Sequence, residues 1–394
     1  MLNVILLGLV SFFSDISAEM VYPLIPLYLT SVFSATPALV GVIEGIAESL
    51  ASLLKVFSGY VTDKYKKKKL IAFIGYTTGL IYKVALIVAG SWVGVLGARV
   101  IDRIGKGIRT TPRDVMVSES AKDGCAGQAF GIHKALDMAG SAIGILISYL
   151  LLQQMSSDFN YRNYKKIFLI SVIPVLLGLL MFFFIKEKKG VHIVEQQEPF
   201  WKNVRKLDFQ LKFYLLISFL FTLGNSSNVF LLLRAKSVGF DDTSVILLYF
   251  IYSLTASLLS IPAGKRSDKV GRKRLLVAGY TIFSLVYAGF AFVRNKLILI
   301  GLFVMYGLHT AMLIGVERAF ISEISPSELK GTMLGMHSTI VGVALLPASM
   351  IAGVLWNMFG AVSPFLFGSA MSFIAVCMLL FLIKKDIHKH AKES

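Results

Sequence analysis

"RVIDRIGKGIRTTPRD", residues 99–114, carries seven formal charges in sixteen positions: Arg99, Asp102, Arg103, Lys106, Arg109, Arg113 and Asp114. It follows an apolar run, "IAFIGYTTGLIYKVALIVAG" (71–90). Read as a soluble loop or a nucleic-acid arm it leaves one span fewer than read as a membrane helix, so this stretch decides the fold. Helical geometry resolves it. At about 100° per residue the seven charges fall within an arc of about 140°, with Val100, Ile101, Ile104 and Ile108 on the other side. The pattern is an amphipathic span with one wet face. Four such charges facing lipid would cost about 10–14 kcal/mol, at roughly 2.5–3.5 kcal/mol each. They are therefore expected to face a cavity or paired partners. Gly105 and Gly107 suit close helix approach, and Pro112 is expected to kink the span near its inner end.

The composition agrees. The 394 residues are 56% hydrophobic and only 16% charged, with a mean hydropathy of +0.72, where soluble chains carry about 25% charged residues. Cys125 and Cys377 offer neither a disulfide framework nor a metal spacing. The N-terminus lacks a basic region and a cleavage site, and its apolar run continues past Asp15 and Glu19, so it reads as a first span rather than a secretory signal.

At roughly 20 residues per span, apolar runs place spans near 3–30, 38–62, 70–89, 92–117, 126–152 and 167–185, then near 211–235, 244–264, 275–293, 297–321, 331–355 and 362–383. Between the sets lies "KEKKGVHIVEQQEPFWKNVRKLD" (186–208), the longest polar stretch. The expected organisation is a six-span bundle over 1–185, a cytoplasmic linker over 186–210 and a second bundle over 211–394. An even count puts both termini on one side. Of the lysines and arginines, only Arg162, Lys165, Lys166, Lys236, Arg294 and Lys296 fall in the opposite loops. The excess of basic residues on the terminal side places both termini in the cytoplasm. The net charge of +17 is thus explained by topology and anionic lipid, and nucleic acid is not an expected partner.

The chain also repeats itself. Shifted by 205 residues, "ASLLKVFSGYVTDKYKKKKL" (51–70) aligns with "ASLLSIPAGKRSDKVGRKRL" (256–275). Shifted by 204, "SESAKDGCAGQAFGIHK" (118–134) aligns with "SEISPSELKGTMLGMHS" (322–338), pairing Glu119 with Glu323 and His133 with His337. Parallel six-span repeats put the solute route near the bilayer midplane, at the repeat interface.

These features resemble the major facilitator superfamily over essentially the whole chain. Its loop signature, G-x-x-x-D-[RK]-x-G-[RK]-[RK], is well formed as "GKRSDKVGRK" (264–273), and its first-half copy, "GYVTDKYKKK" (59–68), has Lys66 in place of the glycine. "FFSDISAEMVYPLIPLYL" together with "DRIGKGIRTTPRD" is similar to a bacterial branch of that superfamily. The resemblance implies an all-α membrane protein, twelve transmembrane helices in two pseudo-symmetric six-helix bundles. It also implies that Gly59, Asp63, Gly264, Asp268, Gly271 and Arg272 form a cytoplasmic gating motif, the aspartates latching onto helix ends and basic residues. Antiporter members carry G-x-x-x-G-P in the fifth helix; here the run is "GSAIGI", with Ile145 at the proline position, which leaves the direction of transport open.

In that family helices 1 and 4 line the cavity and helices 2 and 5 flank it. The candidate solute and proton groups are the polar residues sharing a face on these and on span 7. On span 1 they are Asp15, Glu19 and Tyr22; on span 4, Arg99, Asp102, Arg103, Lys106 and Arg109; on span 5, His133 and Asp137. Span 7 contributes Asn225 and Asn228, from "GNSSN" (224–228), whose glycine permits local unwinding. Glu44 and Glu48 on span 2 are expected to act as locks between helices. No Walker-type nucleotide signature, metal set or catalytic constellation occurs in the sequence, so neither an enzyme nor a cofactor is expected. The expectation is a monomeric, multi-pass secondary transporter of the cell membrane, proton-coupled, for a small polar or anionic organic solute. The alternative is a proton-driven efflux antiporter for amphipathic compounds.

Overall fold

The structure, a computed structural model, describes residues 2–65, 67–120, 126–154, 161–187, 209–313, 316–324 and 330–393. Its helices in the first half are α1 (Leu2–Val21), α2 (Leu24–Val32), α3 (Pro37–Tyr65), α4 (Lys68–Val88), α5 (Trp92–Ser120), α6 (Ala126–Gln154), α7 (Tyr161–Ile170) and α8 (Val172–Phe183). The second half holds α9 (Phe209–Gly224), α10 (Val229–Ser237), α11 (Asp242–Val270), α12 (Arg272–Phe292), α13 (Lys296–Leu313), α14 (Val316–Ile324), α15 (Lys330–Phe359) and α16 (Ser363–Glu393).

Several expected spans are interrupted rods. Span 1 breaks between α1 and α2 at Tyr22–Pro23, because proline supplies no amide to the helical ladder. Span 6 breaks at Ser171, between α7 and α8. Span 7 opens over residues 225–228, where "GNSSN" suggests unwinding. The Pro112 position lies inside one continuous helix, α5. Among the described residues, eleven rods are long and apolar enough to cross a membrane, and α5 is absent from them because of its charges.

Contacts divide the chain into two units, one of Met1–Val194 with Asp241–Phe250, the other of Glu195–Phe240 with Ile251–Ser394. The first turns of α11 fall in the first of these units. There the Tyr164 hydroxyl donates to Asp242 at 3.0 Å and the rings of Tyr249 and Tyr22 lie 5.9 Å apart.

Within the first unit α1 packs on α6 and α8, and α4 on α5 and α8; within the second, α9 packs on α15 and α16, and α12 on α13 and α16. These are the same pairings displaced by one repeat. The repeated glutamates both pair with a base at the start of the preceding span, though the bases differ by one position in the repeat: Lys68 with Glu119 in one unit and Arg272 with Glu323, at 3.0 Å, in the other. Each joins the base of one span to the end of the next. Outward faces are apolar, as with Leu169, Phe183, Leu285, Phe292 and Phe373, all more than half exposed. Such a belt is matched to lipid rather than water.

The small residues of α5 and α6 set how closely the site-bearing helices approach. A Cβ on Gly105 would collide with Thr78 and the Gly75 carbonyl, and one on Gly107 with Leu54. On α6, Gly140 and Gly144 rest directly on the carbonyl oxygens of Phe12 and Ile16 of α1. The break of span 6 is tied to α1, and α1 to α4: the Ser17 hydroxyl donates to the Ser171 carbonyl at 2.6 Å, and Lys83 Nζ donates to the Ser17 carbonyl at 2.9 Å.

Candidate functional site

The wet face of α5 borders a cavity of about 240 Å³ inside the first unit. Arg99, Asp102, Arg103, Lys106 and Arg109 line it from α5, Asp15 and Glu19 from α1, Tyr22 from the break after α1, and Asp137 with Lys134 and Ser141 from α6. Nine expected site residues therefore meet in one place. Arg113 and Asp114 lie outside it and pair with each other at 2.8 Å.

The arginines divide by partner. Arg99 is 1% exposed and Glu44 fully buried; Nε and Nη2 of the arginine donate to the two carboxylate oxygens at 3.0 and 2.6 Å. This fork geometry is the strongest form of ion pair available to a buried guanidinium. Arg103 meets Glu48 at 3.0 Å, and Asp102 sits 3.6 Å from both arginines. The α3 glutamates thus hold α5 in place, and Glu19 and Asp15 are not the arginines' partners. Tyr22 lays its ring near both guanidiniums, 5.3 Å from Arg99 and 5.9 Å from Arg103, a cation–π arrangement.

Lys106 and Arg109 differ. No carboxylate of the described residues comes within ion-pair distance of either. Arg109 is 7% exposed and stacks over Tyr76 at 4.7 Å. Glu19 likewise makes no ion pair, and its Oε2 is buried without a hydrogen-bond partner. Asp15 and Asp137 line the same cavity, and Asp137 holds Lys134 at 2.6 Å.

His133 does not reach this cavity. It is buried, with Nε2 2.9 Å from the Ser11 hydroxyl, which in turn lies 3.0 Å from the Tyr76 hydroxyl. The sequence reading missed Tyr82, which lines the cavity, and Lys83, which is 1% exposed. A lone lysine inside an otherwise apolar span is the signal that marks both, since such a charge is costly unless it has a purpose.

Asn225 and Asn228 lie in the second unit. Tyr306 donates to Asn228 Oδ1 at 2.8 Å, and the Asn228 amide nitrogen donates to the Tyr252 hydroxyl at 3.3 Å. Around them stack Phe283 with Tyr287, 3.9 Å between ring centres, and Phe221 with Tyr280, 4.0 Å. This unit presents neutral hydrogen-bonding groups and rings, where the first presents charges. Of the gating motif, Gly271 takes φ +98° at the start of α12, a conformation open to glycine alone at little cost. Arg272 donates to the Ala319 carbonyl at 2.8 Å and to Glu323 at 3.0 Å. Gly264 sits in α11 with open space on its Cβ side. The positions of Gly59, Asp63 and Asp268 along α3 and α11 are fixed, and their surroundings fall outside the described residues.

The family model for the Major Facilitator Superfamily matches residues 7–233 and 214–394. The chain belongs to that superfamily. As a major facilitator it is a multi-pass membrane protein and a secondary transporter, with the all-α, twelve-helix fold of that family. An uncharacterised MFS-type transporter of Methanocaldococcus jannaschii is 37% identical to it over 96% of this chain and 94% of the relative. The multi-drug resistance efflux pump PmrA of Streptococcus pneumoniae is 29% identical over 36% of each chain. Among solved major facilitators, a mutant of the nucleoside transporter NupG superposes with a TM-score of 0.82 at 12% identity, covering 96% of this chain and 99% of that one. A D-xylose–proton symporter gives 0.76 at 16% identity, covering 95% and 96%. At such identities the likeness is one of fold.

Proposed function

We propose that this major facilitator moves a small polar or anionic organic solute by alternating access, coupled to protons, as a monomer in the cell membrane with both termini cytoplasmic. One observation carries the reading: Lys106 and Arg109 border the cavity without a carboxylate partner, while Arg99 and Arg103 are paired. Unpaired cations at membrane depth are expensive and mark solute paths. The cavity of about 240 Å³ falls below the roughly 300–1,000 Å³ of pockets that hold drug-sized ligands, which favours a small solute. Proton coupling is supported by Asp15, Glu19 and Asp137, three carboxyl groups that line the same cavity, since ionisable side chains inside a membrane bundle form proton relays.

The test is uptake into proteoliposomes, with and without a pH gradient, over a panel of small carboxylates. Lys106→Met and Arg109→Met are each expected to lower carboxylate flux at least tenfold. Asp15→Asn is expected to remove the stimulation by a pH gradient while solute binding persists. Undiminished flux in the Lys106→Met, Arg109→Met double variant would overturn the reading. The partial likeness to PmrA and the unpaired acids Asp15 and Glu19 favour a second reading, proton-driven efflux of amphipathic cations. Flux of lipophilic cations that needs Asp15 and Glu19 but not Lys106 would establish it instead.

A further inference from the structure

The cavity of the first unit holds unpaired groups of both signs. Glu19 leaves Oε2 buried and unpartnered, and the Tyr82 hydroxyl, on a side chain 2% exposed, is buried and unpartnered too. Both line the cavity together with Lys106 and Arg109. The neighbouring arginines already hold acids: Arg99 holds Glu44, and Arg103 holds Glu48, although Nε of Arg103 keeps no hydrogen-bond partner. Glu19 and Lys106 nevertheless do not meet as an ion pair. An acid and a base therefore line one small cavity without pairing with each other, each lacking an ion-pair partner.

Neither a plain anion nor a plain cation completes such a site. An anion alone neutralises Lys106 and Arg109 but leaves the Glu19 oxygen without a donor and adds negative charge beside it. A cation alone serves Glu19 and leaves the two basic groups bare. A buried charged acceptor without a donor is more costly than the bond it forgoes is worth, so the site discriminates strongly between whole and half solutes. We infer that the solute is a small zwitterion of the amino-acid kind, its protonated amine on Glu19 and its carboxylate on Lys106, Arg109 and the Tyr82 hydroxyl. The cavity volume of about 240 Å³ suits one such molecule rather than a chain of them. This assignment rests on the reading of Lys106 and Arg109 as anion-binding groups and adds the amine.

Binding to the purified full-length protein in detergent tests it, by thermal shift followed by calorimetry. The probes are the twenty standard L-amino acids, the N-acetyl derivative and the amide of each, and simple mono- and dicarboxylates. At least one amino acid is expected to bind tenfold or more tighter than both its N-acetyl derivative, which lacks the cation, and its amide, which lacks the anion. Glu19→Gln is expected to bring the amino acid and its N-acetyl derivative to within about threefold, while the amide stays weak. Lys106→Met is expected to do the reverse. The wild-type comparison needs no variant, so a misfolded variant does not blunt it. N-acetyl acids or plain carboxylates binding as tightly as any amino acid overturns the zwitterion and leaves the anion reading standing. Failure of every carboxylate-bearing probe to bind overturns both.

Discussion

Arg99 meets both oxygens of Glu44 in surroundings that exclude water, its side chain 1% exposed and that of Glu44 fully buried. Removing one member of a buried pair leaves an uncompensated charge, a loss of about 3–5 kcal/mol. Arg99→Ala is accordingly expected to lower stability by about 3–5 kcal/mol in equilibrium unfolding of the detergent-solubilised protein. The double variant Arg99→Met, Glu44→Leu is expected to recover most of that loss, and a double variant no more stable than Arg99→Ala would show that the pair is not what the arginine contributes. Counting along α5 puts Arg99, Arg103, Lys106 and Arg109 on one wet face, and the cavity collects all four. Which acid each one meets is less legible. Axial depth brings Glu19, Glu48 and Asp137 to one level, but the rotation of each helix about its axis decides contact, and that depends on packing. Thus Glu48 reaches Arg103, whereas Glu19 reaches none of the arginines as an ion pair.

At the scale of helices, glycine placement sets the site. Gly140 and Gly144 press α6 onto the main chain of Phe12 and Ile16, which brings Asp137 of α6 and Asp15 of α1 to one cavity. The obstacle is backbone and cannot rotate aside. Gly144→Ala is expected to cost about 1–3 kcal/mol in the same unfolding measurement, as overpacking does. Gly97→Ala on α5, where nothing lies within 4 Å, is expected to stay within about 0.5 kcal/mol, the range of changes away from special features. Equal effects at the two positions would refute the packing account. The "GSAIGI" run is conspicuous in sequence, as is the unwinding at "GNSSN". The break at Tyr22–Pro23 is announced only by its proline, and Ser171 by nothing in the apolar run around it.

Across the whole chain, the repeat is the feature most fully written in the sequence. Its two halves show the same helix pairings, and its matched glutamates each pair with a base at the start of the preceding span. The assignment of Asp241–Phe250 to the first unit is not written there, since it rests on Tyr164 and Tyr22 meeting side chains far along the chain. The two units have diverged in chemistry, charges in one and amides with rings in the other. Sidedness is a property of the full chain and follows from the basic loops. A cysteine at Asn295, between α12 and α13, is expected to react with a membrane-impermeant maleimide added outside intact cells. Fluorescent protein fused after Ser394 is expected to fold in the cytoplasm, and labelling at position 295 from the inner side alone would invert the orientation.

Ser17 has a mechanical consequence. Its carbonyl takes the Lys83 ammonium and its hydroxyl reaches Ser171, so one residue fastens the lysine's helix and the interrupted sixth rod to the first, close to where that rod is itself cut. The tie sets the cut of the sixth rod beside the first rod a few residues before its own cut, so bending is expected to concentrate at this level. Loosening this tie, by Ser17→Ala for instance, alters compliance without touching any carboxylate or arginine of the cavity. The rate at which the protein changes shape is thereby separable from the affinity with which it holds its cargo.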